Sequence, residues 1–131
     1  MSASYRVMPA EHVAGSITVP GDKSISHRAL MLGALAEGRT HVNGFLEGED
    51  CLSTLRVVSH LGARVERPAA GEVIVDGVGL HGLRAPGVTL DMGNAGTAMR
   101  LFMGLLSAQP FDSVLVGDET LMRRPMERAA K

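Results

Sequence analysis

Apolar and polar positions change period several times along the chain, and the changes mark out short strands alternating with helices. Tyr5-Arg6-Val7-Met8 and Gly15 to Val19 carry the two-residue alternation of strands. A helical rhythm follows from Ser24 to Glu37, with Ile25, Ala29, Leu32 and Ala36 as its apolar stripe and Gly38 as its stop. Thr40 to Gly44 reads as a strand. Asp50 to Leu61 reads as a second helix, with Leu52, Leu55 and Val58 on one face and Gly62 at its end. Arg64-Val65-Glu66 and Glu72 to Asp76 alternate as a strand pair around Pro68 to Gly71, and Gly77 to Gly87 is a glycine-rich loop.

The pattern then restarts. Val88-Thr89-Leu90 is a strand, Gly93 to Thr97 a turn, Ala98 to Ser107 a helix and Ser113 to Val116 a strand, while Pro125 suits the first turn of another helix. A shift of 72 residues places Gly21 on Gly93, Arg28 on Arg100, Met31 on Met103, Val42 on Val114 and Arg56 on Arg128. The shared order of strand, turn, helix, strand and helix predicts an internal structural repeat in an α/β fold. Two helix N-termini would then face one locality. Residues 125–131 hold less than two turns of the last helix, so the second copy is expected to be partial.

Composition narrows the classes. With 131 residues, 45% apolar content and a formal charge of -1, the chain suits one globular core rather than a disordered tail or a general nucleic-acid binder. Aromatic residues make up 3% and Trp is absent, which argues against base-stacking platforms. The single Cys51 sits in a helical apolar pattern, reads as buried filler and suits a reducing compartment. No stretch reaches the length of a membrane span and no secretory leader is legible, so the expectation is a cytoplasmic protein without membrane contact.

Candidate chemistry concentrates in three segments. Pro20-Gly21-Asp22-Lys23-Ser24-Ile25-Ser26-His27-Arg28 delivers cations and hydroxyls to the start of a helix, where unpaired N–H groups and the helix dipole attract anions. Two readings fit that run: an anion site, or an ordinary helix start with Ser24 as its cap and Lys23 and Arg28 in solvent. Gly93-Asn94-Ala95-Gly96-Thr97-Ala98-Met99-Arg100 lets a ligand approach the backbone, with Thr97 placed to cap the following helix, or is a plain tight turn. Gly117 to Pro125 adds Arg123 and Arg124, whose planar forks suit a carboxylate or phosphate better than an ammonium does, or which are simply part of a solvated loop.

Other motifs fail on context. Gly77-Val78-Gly79-Leu80-His81-Gly82 satisfies the dinucleotide spacing, but Pro86 and Gly87 deny it the helix it needs. Asp22 separates Gly21 from Lys23, which excludes a Walker-type loop. The five histidines lack ligand spacing, so no metal site is expected, and His27 reads as a helix-surface or supporting residue. The eight Met residues read mostly as flexible core packing.

The three segments, in this order, resemble the 5-enolpyruvylshikimate-3-phosphate synthase family across essentially the whole chain, which would be roughly the first third of a member. The resemblance implies two similar domains, each of three βαβαββ units (α/β, or α+β by some schemes). About one and a half units lie here. Residues 1–19 would be opening strands of the other domain, and 20–131 an incomplete N-terminal domain. It implies transfer of an enolpyruvyl group from phosphoenolpyruvate to the 5-hydroxyl of shikimate 3-phosphate, without metal or organic cofactor, in a monomer. By matching position, Lys23 would contact both substrates, Ser24 and Arg28 would hold shikimate 3-phosphate, Asn94 and Gly96 would line the phosphoenolpyruvate pocket that glyphosate also occupies, and Arg124 would grip the phosphoenolpyruvate phosphate. Thr97 would shape that pocket. Leu101 departs from the proline many members carry, at a position that shapes the glyphosate pocket. The proton-transfer carboxylates are expected beyond Lys131, so the chain alone is expected to be inactive. The alternatives are the related UDP-N-acetylglucosamine enolpyruvyl transferase and a non-catalytic anion-binding fragment.

Overall fold

A computed structural model describes residues 3–131. The elements are α1 (Lys23–Leu35), β1 (Glu37–Asn43), α2 (Glu49–His60), β2 (Arg64–Glu66), β3 (Glu72–Val78), β4 (Leu90–Asp91), α3 (Gly96–Ser107), β5 (Leu115–Val116), α4 (Glu119–Met122) and α5 (Glu127–Ala130). β1, β3 and β2 form an antiparallel sheet in that order, while β4 and β5 pair in parallel through Leu90 with Leu115 and Asp91 with Val116. The mixture agrees with the α/β reading. No helix among the described residues is long and apolar enough to cross a membrane.

Val73 and Val75 alternate inward on β3 and are fully buried, while Asp76 on the same strand meets Arg39 across the register at 2.7 and 2.9 Å. α1 and α2 lie on the apolar face of this sheet, and one continuous core runs on through Leu90 and Met92 to Ala98, Met99 and Phe102 of α3 and Leu121 of α4. The buried side of α1 is not the expected stripe. Ser26, His27, Leu30, Met31 and Ala34 face inward, whereas Ile25 and Leu32 are exposed. From Ala29 on α1 has no polar side chain, so period alone does not choose a face there; contact with β3 does. On α2, Cys51, Thr54, Val57 and Val58 are buried, and Leu52 and Leu55 only partly so.

The opening segments differ from expectation. Tyr5 to Met8 and Gly15 to Val19 form no strand; residues 3–22 lie outside any helix or strand, with Tyr5, Val7, Val13, Ile17 and Val19 exposed. A strand exists only through its partner's hydrogen bonds, and none is adjacent here. Met1 and Ser2, also within the expected opening segment, lie outside the described residues. β3 runs to Val78, beyond the expected Asp76, because its partner β1 extends back to Glu37 and the ladder continues.

The strand expected to open the first copy is absent, and what recurs at the 72-residue shift is one bond. Arg28 Nη1 donates to the Ser24 carbonyl four residues back at 3.0 Å, and Arg100 Nη1 donates to the Gly96 carbonyl four residues back at 3.3 Å. Both pairs are 72 residues apart in sequence.

Candidate functional site

The first half of the site begins at a close crossing of backbones. A β-carbon on Gly21 would sit 1.9 Å from the Gly44 carbonyl oxygen, so only glycine lets this turn lie against the end of β1. Ser26 then staples the turn, donating to the Asp22 carbonyl at 2.8 Å and accepting from the Leu46 N–H at 3.1 Å. The cap of α1 is Asp22, not Ser24: its carboxylate accepts from the Ile25 N–H at 2.7 Å. Ser24 already lies within the first helical turn, where its hydroxyl is free of the capping duty expected of it.

Lys23 opens α1 with its ammonium 3.0 Å from Asp50 on α2, half-exposed. One turn along both helices, His27 Nδ1 lies 2.8 Å from Thr54 Oγ1. His27 is fully buried rather than on the helix surface, and its Nε2 has no partner among the described residues. Burial holds its pKa below the ordinary 6.5, with Lys23 and Arg28 adding to the effect and Asp50 opposing it. Cys51, on the same seam, is buried and its thiol pKa is pushed up by burial, which suits filler and not a nucleophile.

The second half is built on the turn before α3. Gly93 takes φ +56°, and its N–H bonds Asp91 Oδ1 at 2.8 Å. Asn94 follows, with its amide nitrogen 2.8 and 3.0 Å from the two Asp118 oxygens and its amide oxygen accepting from Arg124 Nη2 at 2.9 Å. Arg100 reaches from α3 to the Pro125 carbonyl at 3.1 Å. A β-carbon on Gly96 would stand 3.1 Å from a terminal nitrogen of both Arg100 and Arg124, so this residue faces two guanidinium groups. Asn94, Gly96 and Arg124 therefore meet, with Arg100 beside them. Arg123 turns away and pairs with Glu119.

The two helix starts are unequal. α1 already carries the Asp22 carboxylate on its free N–H groups, whereas α3 begins at Ala95 without a side-chain cap, Thr97 not taking that role. At α3 the Ala95 and Gly96 N–H groups already donate to the Met92 and Asn94 carbonyls at 3.0 Å each, which leaves those of Thr97 and Ala98 for an anion, while the α1 half offers side chains: Lys23, Ser24 and Arg28. No hydrogen bond or ion pair among the described residues joins these three to Arg124. α2 connects the halves instead, since Asp50 meets Lys23 and a β-carbon on Gly93 would lie 3.1 Å from Ser53 Oγ.

Sequence reasoning passed over Asp50 and Asp118. Asp118 sat in a segment noted only for its arginines, and no local pattern pairs Asp50 with Lys23, 27 residues away. Asp118 accepts from the Leu121 N–H at 2.7 Å and caps α4; that bond first, and the Asn94 amide next, hold its pKa below the ordinary carboxylate value.

Comparison with known proteins bears on this arrangement. Residues 7–131 match the family model described as EPSP synthase (3-phosphoshikimate 1-carboxyvinyltransferase). A 3-phosphoshikimate 1-carboxyvinyltransferase of Alkalilimnicola ehrlichii is 58% identical over 124 residues, which are 95% of this chain and 28% of the relative. One from Xanthomonas euvesicatoria is 60% identical over 114 residues, 87% of this chain and 26% of the relative. The solved EPSP synthase from Acinetobacter baumannii is 61% identical and superposes with a TM-score of 0.84, over 88% of this chain and 26% of its own. The chain thus spans between a quarter and a third of the length of the relatives it matches.

Proposed function

The chain belongs to the EPSP synthase family, and from that premise we propose that it serves the transfer of an enolpyruvyl group from phosphoenolpyruvate to the 5-hydroxyl of shikimate 3-phosphate, with release of phosphate. The observation that carries this reading is the meeting of Asn94, Gly96, Arg100 and Arg124 at the uncapped start of α3. A phosphate placed there would find two planar guanidinium forks beside the positive end of the α3 dipole.

The roles follow from the residue types. Arg124 takes the phosphoenolpyruvate phosphate, Gly96 leaves room for the Arg100 and Arg124 guanidinium groups that line the pocket, and Asn94 holds Arg124 through its amide oxygen. Ser24 and Arg28 hold shikimate 3-phosphate, and Lys23 stands between the substrates, offsetting charge as the hydroxyl attacks C2 of phosphoenolpyruvate. Two anions repel one another, so bringing them within reacting distance demands fixed cations around both. Charge that develops on the transferring centre is stabilised by Lys and Arg already in place. Glyphosate, an anion of similar reach, would compete at the Arg124 end. Residues 1–19 belong with a second domain of the whole protein, which acts in the cytoplasm as a monomer.

The named relatives do not favour the UDP-N-acetylglucosamine transferase. Incubating the full-length protein with both substrates tests the reading: phosphate and enolpyruvyl product should appear in equal amounts. Phosphate release that does not need shikimate 3-phosphate, or transfer to the nucleotide sugar instead, would overturn it.

A further inference from the structure

Asp118 touches more of the Arg124 end of the site than any role as a helix cap requires. Its carboxylate receives the Asn94 amide nitrogen on both oxygens, at 3.0 and 2.8 Å, as well as the Leu121 N–H at 2.7 Å. Its own N–H donates to the Gly93 carbonyl at 2.8 Å, and the Arg124 N–H returns to the Leu121 carbonyl at 3.0 Å. With the Asn94 oxygen accepting from Arg124 Nη2 at 2.9 Å, these bonds close a ring through the turn, α4 and the arginine.

We propose that Asp118 is a positioning residue for anion binding, fixing the Asn94 amide so that Arg124 is aimed but not neutralised. The proposal rests on the enolpyruvyl-transfer reading for the identity of the anion. A carboxamide offers a donor end and an acceptor end, and can turn over between them. Turned over, Asn94 would present its NH2 to a guanidinium that has only donors, and the contact would be lost. A carboxylate beside the nitrogen end removes that choice. The neutral amide also stands between two opposite charges. Were Asp118 bonded to Arg124 directly, an incoming phosphate would have to displace an ion pair; as built, it displaces only a neutral oxygen. Arg123, paired with Glu119, shows the fate Arg124 avoids.

The test uses the full-length protein and four forms: wild type, Asp118→Asn, Asn94→Ala and the double variant. Asn caps a helix as well as Asp, so Asp118→Asn should melt within about 2 °C of wild type. It should raise KM for phosphoenolpyruvate about tenfold, a change of order one charge-assisted contact, while KM for shikimate 3-phosphate moves less than about twofold. In the Asn94→Ala background the same substitution should add less than about twofold, because the effect travels through the amide. Additive effects, or an unchanged KM, would overturn the proposal while normal wild-type turnover left the transferase reading intact. If the wild type turns over nothing, titration calorimetry with inorganic phosphate decides: about tenfold weaker binding in Asp118→Asn sustains the positioning role. Equal binding, or none in either form, ends it.

Discussion

Lys23 combines a half-exposed side chain with one ionic partner among the described residues, Asp50 at 3.0 Å. Exposed pairs of this kind contribute at most about 1 kcal/mol to stability. Lys23→Met in the full-length protein should therefore leave the melting temperature within a few degrees and lower turnover by at least about a hundredfold, the usual scale for losing a preorganised group at a reacting centre. A large fall in melting temperature with turnover retained would assign Lys23 to the scaffold. Gly21 should behave in the opposite way. Its missing β-carbon would overlap the Gly44 carbonyl at 1.9 Å, and backbone cannot step aside as a flexible side chain can. Gly21→Ala is expected to cost about 2 kcal/mol or more, read by urea denaturation, and to weaken ligand binding only through that displacement.

At the scale of elements, α1 and α2 are joined by two rungs one turn apart, Lys23 to Asp50 and His27 to Thr54. The inner rung suits a neutral imidazole, since a proton on Nε2 would be buried without an acceptor. The sign of the pH effect follows. His27 in the unfolded chain titrates near 6.5 and in the fold below that, so the unfolded state takes up the proton first and stability falls as pH drops below 6.5. Above 6.5 the contribution is complete. Between pH 7.5 and 5.5 the loss is bounded by one proton, about 1.4 kcal/mol per pH unit. His27→Asn, which keeps a polar atom near Thr54 but cannot titrate, should flatten the curve of melting temperature against pH over that range. An unchanged slope would place the effect elsewhere. The helices themselves were legible because their rhythm is local. α4 was not, since four residues form a helix only where the Asp118 cap and the burial of Leu121 hold them.

Across the whole molecule, the candidate site has two unequal parts: side-chain cations on α1, which Asp22 caps, and Asn94 and Gly96 beside Arg100 and Arg124 at the start of α3, which has no side-chain cap. The chain spans 28% of a relative 58% identical to it. Between α1 and α3 it presents an apolar groove lined by Leu32, Leu80, Leu101 and Leu105, with Arg28 at its border. The free edge of β1 is likewise unpaired in the described sheet. The 131-residue chain prepared by itself should release no phosphate from the two substrates and should self-associate as concentration rises, measured by a phosphate assay and by sedimentation. Turnover by the isolated chain would refute the view that further protein completes the site.

The sequence alone was enough to read the three long helices and the β2–β3 pair, because periodicity and turn residues act over a few neighbours. Tertiary contact decided the rest. Which side of α1 is buried depends on β3, that His27 is interior depends on Thr54, and that Arg124 rather than Arg123 faces Asn94 depends on a contact 30 residues away. The strand-like residues 5–8 and 15–19 make the same point in reverse. Alternation supplied their pattern, but a strand needs a neighbour, and no rhythm within a segment can provide one.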